Sequence, residues 1–590
     1  MSRTLPGVDV VVIGSGWTGS IIGKELAAAG QRVVMLERGK AQWTSPDFAS
    51  PQMHDELKYE RRNALHQNTA RETYTFRNTN DQTALPMRRW GFAYPGDNLG
   101  GAGAHWAGVC YRFNESEFRL RSHYTEKYGA GIMEGLTSQD WPVSYNDLEP
   151  FYERYEALAG ISGNAGNVEG QPNAPDANPF DAPRKKNYPN PPMKVPFAAA
   201  LFGEAAAKMG YHPYIQPSAL VTRPYTNSEG LHMSACSYCG FCARHGCEHF
   251  AKASPNICIL PAALKQPSFE LRTNAHVLRI ELSPDKKRAT GVTYVDEKGE
   301  EIFQPAEMVF SCTFAINNAR MLLLSGIGKP FDPSTGEGQV GRNYTHQTTS
   351  SVQLFFREDF NLNTFMGSGA SAVTIDDFNA DNFDHGGKNF INGAYIQIQV
   401  NGAGPINFHP TLPETPKWGS AWKAGARRYY NHCTQITITG SQQSHPGMWL
   451  SLDPTYKDAY GQPLLRITAD IHDSDIRMSQ FVTARGVEIG QQMRGVERAI
   501  GNPRTKPYTS TVYQSTHLTG GTIMGDSPAN SVVNRYGQSW DVPNVFVMGS
   551  SVFPQNSAYN PTQTLGALSY FTAEAVKRDY LRAPGPMVRT

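Results

Sequence analysis

The chain has 590 residues, 39% hydrophobic and 18% charged, enough to bury a large core spread over two or more structural units. Its formal net charge is +1, which gives no electrostatic case for binding nucleic acid or an anionic membrane surface. No apolar run reaches the roughly 18 residues that span a bilayer. Residues 1–7 are too short and polar for a secretory signal and no twin arginine precedes Val8, so at face value the chain is expected in the cytoplasm.

The first element predicted is an apolar strand at Val8–Ile13, running into Gly14-x-Gly16-x-x-Gly19; a helix over 20–29 and a second strand over 32–36 follow, ending at Glu37-Arg38-Gly39. This strand–helix–strand unit predicts dinucleotide binding. Gly14 permits a tight bend, Gly16 lets backbone approach a pyrophosphate, and Gly19 lets the helix pack on the strand. The acidic residue stands where it would meet a ribose hydroxyl.

Residues 45–86 are polar and without clean periodicity, and read as a surface excursion. A second glycine-rich run, GDNLGGAGAHWAG at 96–108, holds His105 and Trp106, which a mere linker would not need; it reads as backbone lying against a cofactor. Residues 160–196, rich in Gly, Pro and Asn, are expected to be irregular. Strands with a turn are predicted over 269–299, a strand then a helix over 308–328, and a closing helix over 562–578. Between 345 and 510, strand-like runs at 395–400 and 434–439 alternate with Gly and Pro and predict a sheet-based substrate domain.

Four of the eight cysteines lie in one run, Cys236, Cys239, Cys242 and Cys247, spaced C-x2-C-x2-C-x4-C. Zinc would want two separated pairs, so this spacing predicts an iron–sulfur cluster. Cys110, Cys258, Cys312 and Cys433 are scattered and read as buried small hydrophobes.

Several ordered motifs together resemble the glucose–methanol–choline oxidoreductases over almost the whole chain: VVIGSGWTGS and LERG, LGGAGAHWAG, DWPVSYNDLEPFYERYE, NNARMLLLSGIG, HLTGGTIMG and YNPTQT. Within that superfamily, CSYCGFCARHGC with KASPN, and NRYGQSWDVPNVFVMG, are similar to the flavoprotein subunits of membrane-bound gluconate 2-dehydrogenases. The resemblance implies an α/β fold, a Rossmann-like FAD-binding domain in parts 1–215, 268–344 and 511–590, an iron–sulfur insertion at 216–267 and a substrate domain at 345–510. FAD would be held by Gly14, Ser15, Gly16, Trp17, Thr18, Gly19, Glu37 and Arg38; by Gly100, Gly101, Gly103, Ala104, His105 and Trp106; and by Gly549, Asn560, Pro561 and Thr562. His105 would bond the flavin covalently or only hydrogen-bond near it.

Alcohol oxidation by a flavin needs a base for the hydroxyl proton. His517 and Asn560 match the superfamily's catalytic pair, an imidazole that titrates near neutrality and an amide that donates without competing for the proton. Related flavin dehydrogenases imply a [3Fe–4S] cluster on Cys236, Cys242 and Cys247, with Cys239 either completing [4Fe–4S] or standing by. The implied reaction takes D-gluconate to 2-keto-D-gluconate and sends electrons through the cluster to a multihaem cytochrome c subunit. A small subunit with an export signal would carry the chain to the periplasmic face of the inner membrane. Alternatives are another polyol, aldose or keto-sugar (sorbitol, glucose, fructose, 2-ketogluconate), or a non-catalytic electron-transfer subunit, which would have no use for His517 and Asn560.

Overall fold

Strand β1 (Val8–Ile13) is apolar because both its faces are covered, with Val10, Val11 and Val12 fully buried, as the inner strands of a parallel sheet require. The structure, a computed structural model, describes residues 3–49, 65–89, 93–364, 366–402, 408–511 and 515–589. β1 turns at Gly14, whose φ is +98°, into α1 (Trp17–Ala28), and the chain returns in β2 (Val33–Leu36). A Cβ on Gly14 would lie 2.8 Å from the carbonyl oxygen of Cys312, and one on Gly19 only 2.0 Å from that of Gly14. The motif is therefore steric: helix and strand approach to a distance that excludes any side chain.

β2 pairs in parallel with β3 (Phe269–Arg272), and β4 (His276–Leu282), β5 (Ala289–Val295) and β6 (Glu301–Ser311) form an antiparallel meander on the other side of β1. The result is an eight-stranded sheet in the order β4-β5-β6-β1-β2-β3, with Arg3–Thr4 and Val545–Val547 both parallel to β6. A sheet opened at residue 8 is thus closed by residues near 310 and 545.

The second sheet is antiparallel: β7 (Thr348–Phe356), β8 (Gly367–Ile375), β9 (Ala394–Asn401), β10 (Cys433–Gly440) and β11 (Val496–Asn502), ordered β11-β7-β10-β9-β8, with Tyr214–Ile215 beyond β8. Its strands alternate. Ile396, Ile398, Ile436 and Ile438 bury one face in a cluster with residues of α2 (Phe197–Lys208) and α3 (Asp473–Gln492). The closing helix α4 (Thr562–Ala575) packs on α1 and on Tyr145–Ala159, where Glu156 accepts hydrogen bonds from Arg112, Arg184 and Gln563. A buried carboxylate needs that many donors to stay charged. Among the described residues no helix is long and apolar enough to cross a membrane.

Two expectations are corrected. Residues 45–86 are not wholly a surface excursion: Tyr74–Arg77 is a strand in a four-stranded sheet, parallel to Pro463–Thr468, with Tyr74 fully buried. Its partner is almost 400 residues away, so no local period betrays it. The expected iron–sulfur insertion is also not found: no group of three or more His, Cys, Asp or Glu side chains converges to hold a metal ion among the described residues. Cys236, Cys239, Cys242 and Cys247 are free. Their segment runs as turns, with Tyr238 and Arg244 at positive φ, and is pinned by backbone to β8 through Cys239 opposite Gly367 and Gly240 N–H donating to Gly367 at 2.9 Å. Ligand spacing permits convergence; it does not compel it.

Candidate active site

A cavity of about 500 Å³ runs from the first glycine turn to the polar face of the second sheet. Its cofactor end is mostly backbone. No side chain caps the N-terminus of α1 at Gly16, so the free amide N–H groups of the first turn are available to an anionic group. Glu37 does not stand idle there: one carboxylate oxygen accepts from Ser15 N–H at 2.9 Å and Ser15 Oγ at 2.6 Å, the other from Gly39 N–H at 2.8 Å. Burial raises its pKa against these donors. Gly100 N–H donates to Ser15 Oγ at 2.9 Å and so ties the second glycine run to the first.

Of the residues expected at the cofactor, Gly14 to Thr18, Glu37, Arg38, Gly101, Gly103, His105, Trp106, Gly549 and Asn560 to Thr562 line the cavity. Gly19, Gly100 and Ala104 stand behind it. His105 is buried with Nε2 lacking a hydrogen-bond partner, and the His66 ring meets it edge-on at 4.7 Å. Burial, then the charges of His66 and Lys252, hold its pKa well below the usual imidazole value. A helix start without a cap, a turn with no room for a Cβ and a buried, unpaired imidazole nitrogen fit a flavin dinucleotide.

At the other end His517 Nε2 lies 3.0 Å from Asn560 Nδ2, whose Oδ1 accepts from Tyr395 OH at 3.1 Å. The ring keeps part of its surface open to the cavity, yet burial pushes its pKa down to about 4, so it is neutral near pH 7 and able to take a proton.

Sequence reasoning missed the wall facing this pair. Tyr395, Gln397 and Gln399 of β9 and Gln435, Thr437 and Thr439 of β10 line the cavity, with Gln397 directly opposite Thr437. Thr374 Oγ1 donates to Gln397 Oε1 at 3.3 Å, which leaves the Gln397 NH₂ to donate; Gln399 spends its Nε2 on Gly369 O, which leaves its Oε1 to accept. The signal was present in the sequence as polar residues at every second place in YIQIQVN and TQITITG.

The iron–sulfur cofactor, and with it the electron route through a cluster to a cytochrome, finds no support in the described residues.

Comparison with known proteins agrees with this geometry. The model described as GMC oxidoreductase matches residues 193–349 and 450–569, and one described as FAD dependent oxidoreductase matches 9–136. The chain is 47% identical to the gluconate 2-dehydrogenase flavoprotein of Pantoea cypripedii, over 100% of this chain and 96% of that one. It is 26% identical to the 2-methyl-1,2-propanediol dehydrogenase of Mycolicibacterium austroafricanum, over 98% and 97% of the two chains. The solved structure of pyridoxine 4-oxidase from Mesorbium loti superposes with a TM-score of 0.62 at 16% identity, covering 98% of this chain and 100% of that one, a likeness of fold alone.

Proposed function

From the premise that this chain belongs to the GMC oxidoreductase family and is an FAD-dependent oxidoreductase acting on a CH–OH group, we propose that its substrate is gluconate or a close sugar acid, oxidised at a secondary alcohol to the keto product. The observation that carries this reading is the neutral His517 beside Asn560, facing a wall of amides and hydroxyls. His517 Nε2 takes the hydroxyl proton and the Asn560 amide donates to the same oxygen. Bound at the glycine turns, FAD supplies the hydride acceptor. Gln397 donates to one further hydroxyl and Gln399 accepts from another, which orients a polyol against the pair. A site built to hydrogen-bond hydroxyls rejects substrates that lack them.

The wall's neutrality also suits an uncharged polyol or sugar, which is the second reading. Anaerobic mixing decides between them. Gluconate should bleach the flavin spectrum faster than sorbitol, glucose, fructose or 2-ketogluconate, and faster bleaching by one of the latter would move the assignment to it.

We further assign the chain to an assembly with a small subunit that carries an export signal and a multihaem cytochrome c subunit, at the periplasmic face of the inner membrane. Support comes from the motif resemblance alone. Fractionating cells with and without the small subunit tests it; active enzyme confined to the cytoplasm in both cases would refute the assignment.

A further inference from the structure

Gln347 and Ser515 form an unbroken hydrogen-bond chain to His517. We propose that they are positioning residues that fix the tautomer of His517, holding its proton on Nδ1 and its lone pair on Nε2. The inference rests on His517 being the base.

Gln347 is oriented by its surroundings. It is fully buried, and its Nε2 faces three backbone carbonyls, those of Ser557 at 3.1 Å, Ala558 at 2.6 Å and Tyr559 at 2.9 Å. Carbonyl oxygens only accept, so the NH₂ must point at them and Oε1 must point away. That oxygen lies 3.2 Å from Ser515 Oγ, and an amide oxygen cannot donate; the serine hydroxyl hydrogen is therefore committed to Gln347. Ser515 Oγ is left with two acceptor positions. The backbone N–H of His517 fills one at 3.1 Å, and His517 Nδ1 lies at the other, 2.9 Å away. Nδ1 must then carry the hydrogen.

The far end of the chain agrees independently. Tyr395 OH donates to Asn560 Oδ1, which turns Asn560 Nδ2 toward His517 Nε2, and a donor there requires a lone pair on Nε2. The opposite tautomer would leave either Nδ1 and Ser515 Oγ facing each other lone pair to lone pair or, with the hydroxyl turned to Nδ1, Gln347 Oε1 without its donor, and would set an N–H on Nε2 against the Asn560 amide. The three carbonyls belong to the turn that leads into Asn560, so one amide sets both members of the catalytic pair: Gln347 holds the loop of Asn560 through its nitrogen and orders His517 through its oxygen.

The experiment uses the full-length holoenzyme and the variants Ser515→Ala, Ser515→Thr and His517→Ala, with two readouts. In histidine-selective ¹⁵N spectra at pH 7, the His517 signals, assigned by their loss in His517→Ala, should show a protonated Nδ1 and an unprotonated Nε2 in the parent, and a mixture of tautomers in Ser515→Ala. In anaerobic stopped flow, Ser515→Ala should slow flavin reduction by about 10- to 100-fold with KM changed less than about 3-fold, and Ser515→Thr should restore most of the rate. A proton on Nε2 in the parent, or Ser515→Ala within about 2-fold of the parent, overturns the proposal. If His517→Ala is itself nearly fully active, the assignment of the base fails instead, and the two failures are told apart.

Discussion

The two ends of the cavity are made of different material. The cofactor end is backbone: glycines without room for a Cβ, an uncapped helix start and amide N–H groups. The substrate end is side chains projecting from alternate positions of an antiparallel sheet, Gln397 and Gln399 each turned one way by a neighbour. The backbone end is intolerant of one added carbon at Gly14 and Gly19. At the side-chain end a methylene is tolerable, while a lost donor changes which substrate is accepted.

The contrast is sharpest between two glycines three residues apart. Gly19→Ala puts a Cβ 2.0 Å from the Gly14 carbonyl, so we expect the largest effect of all: protein that is strongly destabilised and purifies without flavin, read by thermal melting and by the visible spectrum. A yellow, stable Gly19→Ala protein would break the steric account. His517→Ala comes next. It should keep its flavin spectrum and lose turnover by roughly 10²–10⁴-fold, the usual share of a general base; retained turnover would remove it from the chemistry. Gly16→Ala is the counterpart of Gly19→Ala: nothing lies within 4 Å of its added Cβ and its φ is −63°, so the fold should melt as the parent does. FAD affinity alone should fall, by about 10-fold or more if backbone contact with the pyrophosphate is what the open space serves. Equal melting and equal affinity would show that the space serves something else.

At the side-chain end the effects are smaller. Gln397→Leu removes one oriented donor, worth about 1 kcal/mol net, so kcat/KM for a polyol should fall about 5-fold while a simple alcohol lacking the second hydroxyl is unaffected. An equal loss on both would mean the sheet was disturbed rather than its recognition. The smallest change is in pH dependence. As the proposed base, His517 acts when neutral; burial lowers its pKa in the fold to about 4, so the acid limb of flavin reduction should fall through about pH 4, well below the 6.5 of a free imidazole. The same lowering works on stability. Its contribution is complete above about pH 6.5 and is lost as pH drops toward 4, because the unfolded imidazole takes up the proton first. An acid limb near 6.5 would show that His517 is solvated in the working enzyme.

The cysteine run shows how far a motif goes without its surroundings. Gly14, Gly16 and Gly19 are flanked by a strand and a helix whose hydrogen bonds force the geometry, so spacing and structure are one statement. Cys236, Cys239, Cys242 and Cys247 are joined by turns whose course is set by contacts with β8, more than a hundred residues downstream, and their thiols are not brought together as a metal-holding group among the described residues. Identical logic applied to both motifs succeeded where local structure carried it.

By itself the sequence determined the strand–helix–strand at Val8–Leu36 and the strands at β9 and β10, and it offered His517 and Asn560 as the candidate pair, since each depends on neighbours within a few residues or on a motif read whole. Only the tertiary structure decided that Tyr74–Arg77 pairs with Pro463–Thr468, that Gln347 and Ser515 stand behind His517, and which way Gln397 and Gln399 point. The physical reason is that a hydrogen bond orients both of its partners. Gln347 lies 168 residues from Ser515 and 213 from Asn560, and no local period in the chain records which side of an amide a distant carbonyl will claim.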